Sequence, residues 1–242
     1  ALNAALSGKT VQRFETVLPH LARVDDQQRI TGRTIEQVVP VGKHLIIDFS
    51  GGLHLRTHMR MNGSWHIYRP GERWRRRRDD MRVVIATDDY VAVGFNIPVA
   101  EFLDDRALLR QEDLRQIGPD VLGESFEAGE ALRRIRERAN EEIGNVLLNQ
   151  RVIAGIGNIW KSEVLFACRV NPFARVEMLN DQQLGCLVTK ARKLMTRSAG
   201  SEAPNDLSVY GRKRCRRCGS RIEYRKQGLD ARGTYWCPRC VS

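Results

Sequence analysis

The sequence predicts a multidomain α+β fold, with an antiparallel β-sandwich first, a helical domain second and a small four-cysteine hairpin last. Up to Phe95, the chain runs through short segments of strand-like residues that turn residues separate. After Phe102 the apolar residues recur at helical spacing instead. Two Cys-x-x-Cys pairs then lie near the C-terminus. We therefore divide the chain into domains at 1–115, 116–205 and 206–242.

The first domain is predicted to be almost entirely β. Residues 1–6 are typical of the last turns of a helix that Gly8 would end. The fourth of the predicted strands is the clearest, because leucine and threonine alternate there with histidine and arginine. Many short strands with turns such as Asn62-Gly63 are typical of an antiparallel sandwich or barrel. The predicted strands are 10–18, 33–39, 44–49, 53–61, 65–68, 81–86 and 91–95.

The second domain is predicted to be helical, after an interdomain linker at residues 117–120. Helices are expected at 126–142 and at 181–198, the latter capped by Asp181. Between them, one helix ends near Leu147, and another begins at Asn158 as its N-cap, after Gly155 and Gly157. A glycine-rich approach to a helix N-terminus suits a phosphate group. An ordinary helical hairpin, whose glycines serve only the turn, fits the same pattern.

Charge narrows the class of partner. The chain carries a formal net charge of +11, and five arginines fall within residues 73–78. A protein this basic most often binds a polyanion, nucleic acid above all, although a merely solvated basic surface is the alternative. No segment has the length of apolar sequence that a membrane span needs, and the first residues do not resemble a signal peptide. We expect a cytoplasmic, nucleoid-associated protein.

The C-terminal module has the spacing of a structural zinc site. Two Cys-x-x-Cys turns supply four thiolates, which complete a tetrahedron without an open position. Residues 221–224 and 234–236 are predicted strands of a hairpin, and its tip at 227–233 carries Arg232. The basic residues around it indicate contact with a phosphate backbone, with a protein-binding zinc ribbon as the alternative. Cys168 and Cys186 are predicted to be small core residues. The ligands are Cys215, Cys218, Cys237 and Cys240.

Four segments together carry a resemblance to a known family: 149–166, 234–240, 41–45 and 118–122. The chain resembles the formamidopyrimidine-DNA glycosylases and endonuclease VIII, which are bifunctional base-excision repair enzymes. The resemblance runs over essentially the whole chain. It implies a helix–two-turns–helix domain at residues 116–205. It also implies a monomer whose partner is double-stranded DNA with damaged or abasic sites.

The resemblance implies a covalent mechanism. In this family the secondary amine of an N-terminal proline attacks C1′ of a flipped-out damaged nucleotide and forms a Schiff base, and β- and δ-elimination follow. The sequence begins at Ala1 instead, three helical turns inside the family's first helix by our reckoning. We expect the intact protein to be a DNA glycosylase with AP-lyase activity. We expect the chain as written to lack the nucleophile.

Two further residues match catalytic positions of the family. Lys43 matches the strand lysine assigned as proton donor in β-elimination. From the residues alone, a lysine after Val41-Gly42 also fits an ordinary surface charge. Arg232 matches the finger-tip arginine assigned to δ-elimination and phosphate binding.

Other residues match positions that contact DNA. Asn158 matches the asparagine that touches the backbone, and Gln116 lies where relatives place a polar or basic contact residue. Arg60, Met61 and Asn62 occupy the loop that fills the space left by the flipped base. Met61 suits such a wedge, but it fits a core methionine at a strand end equally well.

The preferred base is indicated by a departure from one branch of the family. The formamidopyrimidine branch carries an Arg-Arg-Phe-Gly wedge, whereas residues 93–98 of this chain contain no arginine. The resemblance therefore favours the endonuclease VIII branch and oxidised pyrimidines such as thymine glycol and dihydrouracil. A non-catalytic damaged-DNA-binding member of the same fold is the main alternative. An RNA- or ribosome-associated protein is a further one.

Overall fold

The structure is a computed structural model that describes residues 1–60, 62–198 and 207–241. The chain forms two compact units, Ala1–Arg115 and Gln116–Ser242. The domain boundary expected between residues 205 and 206 lies outside the described residues. Each unit has its own core.

The first unit contains two four-stranded antiparallel sheets. One has the order β1 (Arg13–Thr16), β6 (Met81–Ala86), β7 (Val91–Phe95) and β5 (Ser64–Tyr68). The other has the order β2 (Ile35–Val41), β3 (His44–Phe49), β4 (Leu53–His58) and β8 (Val99–Asp104). The helices of this unit are α1 (Leu2–Leu6), α2 (Pro19–Gln28), α3 (Asp105–Arg110) and α4 (Glu112–Arg115), with a 3₁₀ turn at Arg78–Asp80.

The two sheets face each other across one apolar core, which confirms the predicted sandwich. Strand β6 shows how alternation divides its side chains. Val83 and Ile85 enter the core between the sheets, whereas Val84 and Ala86 point to the opposite face. There they join a second cluster, which Trp74 of the β5–β6 loop helps to cover. Both faces of this sheet are therefore buried along β6.

Several strands of the first unit differ from their predicted bounds. The strand expected at 10–18 covers only Arg13–Thr16, because Pro19 opens α2, which the sequence analysis did not predict. The strand expected at 53–61 ends at His58, whose Nδ1 accepts a hydrogen bond from the Arg60 N–H at 3.1 Å. Arg60 then turns the chain with a φ of +46°.

The second unit is helical and ends in a hairpin. Its helices are α5 (Ala128–Arg136), α6 (Ile143–Val146), α7 (Asn158–Ala167) and α8 (Asp181–Ser198), with a 3₁₀ turn at Val176–Met178. Strands β9 (Glu223–Gln227) and β10 (Arg232–Trp236) pair antiparallel. Aliphatic residues of the helices and their loops form the main core, and a smaller core surrounds the cysteines of the hairpin module.

The segment 117–120 is not the linker that the sequence analysis expected. The Gly118 N–H donates to the Gln150 carbonyl at 2.8 Å, and the Ala154 N–H donates to the Pro119 carbonyl at 2.9 Å. A Cβ on Gly118 would lie 2.6 Å from the Val152 carbonyl oxygen. The glycine is there because two backbone segments pack closely, and the segment belongs to the second unit.

Two helix predictions are also wrong in detail. The helix expected at 126–142 ends at Arg136, because residues 139–142 pair with the segment before α8. The Glu177 N–H there donates to the Ala139 carbonyl at 3.0 Å. The cap of α8 is Asn180 rather than Asp181. Its Oδ1 accepts from the Gln183 N–H at 2.9 Å, and Gln183 Oε1 accepts from the Asn180 N–H at 3.0 Å.

Cys168 and Cys186 are joined in a disulfide, which corrects their assignment as small core residues. The bond ties the residue after α7 to the second turn of α8, with the two Cα atoms 5.9 Å apart. Helical spacing did place both residues on inward faces, but it could not show that the two faces meet. Within the described ranges, no helix is both long and apolar enough to cross a membrane.

Candidate nucleic-acid interface and zinc site

The four C-terminal cysteines come together with the geometry of a tetrahedral metal site. All four sulfurs lie within 4.8 Å of one another. Cys215 and Cys240 are separated by 3.8 Å between sulfurs, and Cys218 and Cys237 by 3.5 Å. Sulfurs bound to one zinc ion at about 2.3 Å stand about 3.8 Å apart, whereas a disulfide requires about 2.05 Å. The donor set therefore fits a structural Zn²⁺ with no open position.

Asn158 begins α7 as its first residue, whereas the expected N-cap position belongs to Gly157. Its side chain reaches the hairpin, where Nδ2 donates to the Gly233 carbonyl at 2.5 Å. Its Oδ1 is buried and accepts no hydrogen bond from any described residue. The first intrahelical bond runs from the Lys161 N–H to the Gly157 carbonyl at 2.8 Å. The amides before it therefore have no acceptor within the helix.

The loop ahead of α7 is held by Gln150. Its Oε1 accepts from the Gly155 N–H at 3.0 Å, and its Nε2 donates to the Ile156 carbonyl at 3.2 Å. Gly155 has a φ of +90°, a conformation that favours glycine. The open amides at the start of α7 thus stand at the end of a tightly bonded turn.

Arg232 is the first residue of β10 rather than part of the hairpin tip, and it stands opposite Gln227. The Asn158–Gly233 hydrogen bond fastens the start of α7 to the residue next to Arg232. The structure therefore brings together Asn158 and Arg232, two residues 74 positions apart that the sequence singled out separately.

Lys161 is a member of this cluster that the sequence analysis missed. Its side chain is fully buried, and its Nζ donates to Thr234 Oγ1 at 2.6 Å. No carboxylate pairs with it among the described residues. Burial, and then the charge of Arg232, lowers the pKa of Lys161 to about 8. A buried cation beside a second cation is a site that an anion would stabilise.

A chain of hydrogen bonds continues from Lys161 into the helical core. Thr234 Oγ1 donates to Gln227 Oε1 at 2.8 Å. Gln227 Nε2 donates in turn to Glu142 Oε2 at 2.8 Å and to the Pro172 carbonyl at 2.9 Å. The hairpin is thereby bonded to the rest of the second unit through Asn158 at one point and through Glu142 and Pro172 at another.

The predicted site residues of the first unit gather at one end of its second sheet. Lys43 lies in the turn between β2 and β3, immediately before His44. His44 pairs with His58 on β4, so Lys43 and Arg60 flank the same sheet end. Asn62 follows in the same loop, and Met61 lies outside the described residues. Gln116 is the half-buried first residue of the second unit.

Family models match nearly all of the chain. Residues 1–119 match the formamidopyrimidine-DNA glycosylase N-terminal domain, and residues 117–204 match the H2TH domain of the same enzymes. Residues 212–242 match the zinc finger found in FPG and IleRS. A probable endonuclease 8 2 of Streptomyces coelicolor is 38% identical over 99% of this chain and 89% of its own length. The chain belongs to the formamidopyrimidine-DNA glycosylase and endonuclease VIII family.

Other relatives agree with this assignment. The DNA-(apurinic or apyrimidinic site) lyase Nei2 of Mycolicibacterium smegmatis is 33% identical over 99% of this chain and 94% of its own length. The structure of the Lactococcus lactis formamidopyrimidine-DNA glycosylase, bound non-covalently to DNA with an AP site, has a TM-score of 0.82. It is 23% identical over 100% of this chain and 95% of that chain, and supports the fold alone.

The family models identify the first unit as one domain and the second unit as a domain with a zinc finger. The β-sandwich is the glycosylase N-terminal domain, the helices form the H2TH domain, and the hairpin is its zinc finger. The zinc finger model agrees with the sulfur geometry, which confirms the predicted structural Zn²⁺. The relatives are named as endonuclease 8 and AP lyase enzymes. In this chain, helix α7 of the H2TH domain carries a buried lysine, Lys161, against the zinc finger.

Proposed function

We propose that the protein removes oxidised bases from double-stranded DNA and cleaves the resulting abasic site by β- and δ-elimination. The observation that carries the proposal is the convergence of Asn158, Lys161 and Arg232 at the start of α7. The cluster combines two cations, open helix amides and no carboxylate partner for the buried lysine among the described residues. These are the properties of a binding site for a backbone phosphate.

Electrostatics explains why a phosphate diester fits this site. Lys161 and Arg232 repel each other, and burial deprives Lys161 of water. A bound anion would offset both costs, because it attracts both cations in a place of low dielectric. We infer that Arg232 binds the phosphate directly and acts in δ-elimination. Asn158 contacts the same backbone while it holds the hairpin in place.

The first unit would act on the damaged nucleotide itself. Lys43 is proposed as the proton donor in β-elimination, and Arg60, Met61 and Asn62 as the residues that fill the space of the flipped base. The pairing of His44 with His58 supports this grouping, because it sets Lys43 and Arg60 at one sheet end. Gln116 is proposed as a further DNA contact.

Oxidised pyrimidines are the proposed substrates. The similarity to proteins named endonuclease 8 supports this, as does the absence of arginine from residues 93–98. The rates at which thymine glycol and 8-oxoguanine are excised from matched duplexes would test this proposed preference. Faster release of 8-oxoguanine would contradict it.

The organisation proposed for the whole protein follows the predicted domains: a catalytic domain at 1–115, a DNA-binding domain at 116–205 and a zinc finger at 206–242. We infer that it works as a monomer on DNA in the cytoplasm, at the nucleoid. Sedimentation of the free protein would test the monomer, and a stable dimer would contradict it.

Binding to an abasic-analogue duplex, with borohydride trapping on an abasic duplex, tests the function. Arg232→Ala should weaken binding about tenfold, because charge-assisted hydrogen bonds contribute about 1.5 kcal/mol or more. Arg221→Ala removes one exposed positive charge from the same module and is the matched control. Zinc content should be unchanged in both variants.

The trapping experiment separates enzyme from binder. The product of the complete reading frame should give a covalent adduct under borohydride. Intact binding without an adduct would favour a non-catalytic damaged-DNA-binding protein. Tighter binding to structured RNA than to the abasic duplex would favour the RNA-associated alternative.

A further inference from the structure

The loop between β5 and β6, residues 69–80, carries an unusual density of positive charge. Five of the six residues at 73–78 are arginines, and all five are exposed. The sixth is Trp74, which is half-buried. We call residues 73–78 the arginine loop.

The arginine loop has a fixed backbone. Trp74 stacks on Tyr68 at 6.4 Å between ring centroids and meets the edge of Phe95 at 5.7 Å. The Arg75 N–H donates to the Tyr68 hydroxyl at 3.1 Å. The guanidinium of Arg78 lies 5.6 Å over the Trp74 ring. The loop is therefore anchored on the outer face of the β1–β6–β7–β5 sheet and presents its arginines from defined positions.

Three exposed arginines of the loop, Arg73, Arg76 and Arg77, are available to an anion. Among the described residues, no carboxylate pairs with Arg73 or Arg76. Arg77 has Asp79 at 3.3 Å, but both side chains are more than four-fifths exposed. Such a pair contributes little and exchanges easily for a stronger partner. Guanidinium groups bind phosphate oxygens bidentately, so the loop offers several phosphate contacts.

The loop continues into the proposed lesion site of the same unit. Arg76 and Arg82 line one surface groove together with Arg60 and Asn62, and Ile97 lies in it as well. Arg60 and Asn62 belong to the loop that is proposed to fill the space of the flipped base. One cationic surface therefore runs from that loop to the arginine loop.

We propose that the arginine loop is a second DNA-backbone contact, which binds phosphates of the duplex beyond the lesion. The inference rests on the proposed function for the position of the lesion. A protein partner is disfavoured by the surface itself, because the fully buried core of a protein interface is apolar and depleted of charged residues. The exposed large apolar side chains among the described residues all lie elsewhere in the chain. Trp74 faces Tyr68, so the loop is built to contact backbone and not to stack on unpaired bases.

The test compares two abasic-analogue duplexes, a short one that ends close to the lesion and a longer one that extends past it on both sides. The variant Arg73→Gln/Arg77→Gln removes two positive charges from the loop, at positions outside the groove that Arg60 and Asn62 line. The control Arg23→Gln/Arg106→Gln removes two charges elsewhere in the same unit. Affinity is measured over a range of salt concentrations, with zinc content and thermal unfolding as checks of folding.

The loop variant should bind the long duplex about tenfold more weakly at low salt. The slope of log affinity against log salt should become shallower by about 0.9 for each phosphate that the loop no longer neutralises. The affinity of the loop variant for the short duplex should equal that of the wild type. The control variant should bind both duplexes with wild-type affinity. Arg232→Ala should weaken both duplexes, because it acts at the lesion.

The outcomes distinguish the two proposals. Equal binding of the long duplex by loop variant and wild type would overturn the inference and leave the proposed function standing. An equal loss of affinity for the long duplex in the control variant would show that the effect comes from net charge alone. That result would overturn the inference as well. A wild-type chain that binds neither duplex would overturn both.

Discussion

At the scale of single residues, Lys161 shows how burial changes the chemical role of a side chain. In the sequence it is one polar residue in an amphipathic helix, where a lysine ordinarily faces water. The hairpin covers it instead, so its ammonium group loses water and stands near Arg232. What looks like a solvated lysine thus becomes part of a candidate phosphate site.

The lowered pKa of Lys161 makes DNA affinity depend on pH. The pKa in the free protein is about 8, and a bound phosphate raises it by attraction. Binding therefore takes up a proton above pH 8, and affinity should be constant below that value and fall as pH rises through and beyond it. Lys161→Met should bind DNA more weakly and lose this pH dependence. Lys161→Arg should bind with an affinity that does not change over the same pH range, because arginine stays charged.

Fluorescence anisotropy with an abasic-analogue duplex between about pH 6.5 and 9.5, a span of about three units around that pKa, measures the effect. Arg239→Gln is a control with one fewer positive charge on the same module. An alkaline fall of equal size in Lys161→Met would assign the dependence to another group.

Two glycines of the second unit should respond to alanine in opposite directions. A Cβ at Gly118 would lie 2.6 Å from the Val152 carbonyl, so Gly118→Ala should destabilise this unit by about 1–3 kcal/mol. Gly185 lies inside α8 with no atom within 4 Å of an added Cβ. Gly185→Ala should stabilise the unit by about 0.5–1 kcal/mol. Urea unfolding of both variants measures the difference, and a shift of the same sign in the two would contradict the packing described here.

At the scale of elements, α7 organises the second unit because each of its faces has a different partner. Its apolar residues enter the helical core, and Lys161 faces the hairpin. The carboxylate of Glu163 accepts hydrogen bonds from the backbone N–H groups of Ser208, Val209 and Tyr210 at 2.8–2.9 Å. The helix therefore holds the segment that leads into the zinc finger. Its end is tied to α8 by Cys168 and Cys186.

The disulfide between α7 and α8 predicts a specific thiol count. The chain has six cysteines, of which four are free in the structure. Protein denatured with a chelator and without reductant should show four reactive thiols, and six after reduction. Cys168→Ser/Cys186→Ser should show four in both conditions. Six thiols before reduction, in protein handled without reductant, would show that the bond does not form.

At the scale of the whole molecule, the chain combines two independently built cores with a metal-dependent module. The sandwich core draws only on residues of the first unit, and the zinc finger core includes Phe166 of α7. The net charge of +11 favours a polyanion for the protein as a whole. Where the protein attracts a polyanion depends on the positions of its arginines on the surface.

Removal of zinc should abolish DNA binding and leave the sandwich folded. Without the ion, the four metal–sulfur bonds that hold the module together are lost, so the hairpin should lose its structure. Arg232 would then leave its position, and Lys161 would no longer be covered. Near-ultraviolet circular dichroism should report the change through Tyr235 and Trp236 of β10. The unfolding transition of the first unit should stay in place. Abasic-duplex affinity that survives chelation would contradict this dependence.

Several features of the fold follow from local sequence alone. The strand-like composition of segments between turn residues predicted β3, β6 and β7 at their observed bounds. The spacing of Cys215, Cys218, Cys237 and Cys240 predicted the metal, since two Cys-x-x-Cys turns suffice for a tetrahedron. Helix α2 and strand β8 were missed because each buries few residues, Leu21 in α2 and Ala100 and Leu103 in β8, so their apolar patterns are weak.

The sequence by itself determined the class of fold, the zinc ion and the polyanionic class of partner, because these depend on local periodicity, ligand spacing and total charge. Only the tertiary structure decided that Lys161 is buried beside Arg232 and that Cys168 bonds Cys186. It also decided that Gly118 packs against Val152 and that Trp74 anchors the arginine loop. Contacts such as those of Gly118 with Val152 and of Lys161 with Thr234 join residues far apart in the chain, and they arise only when the cores form.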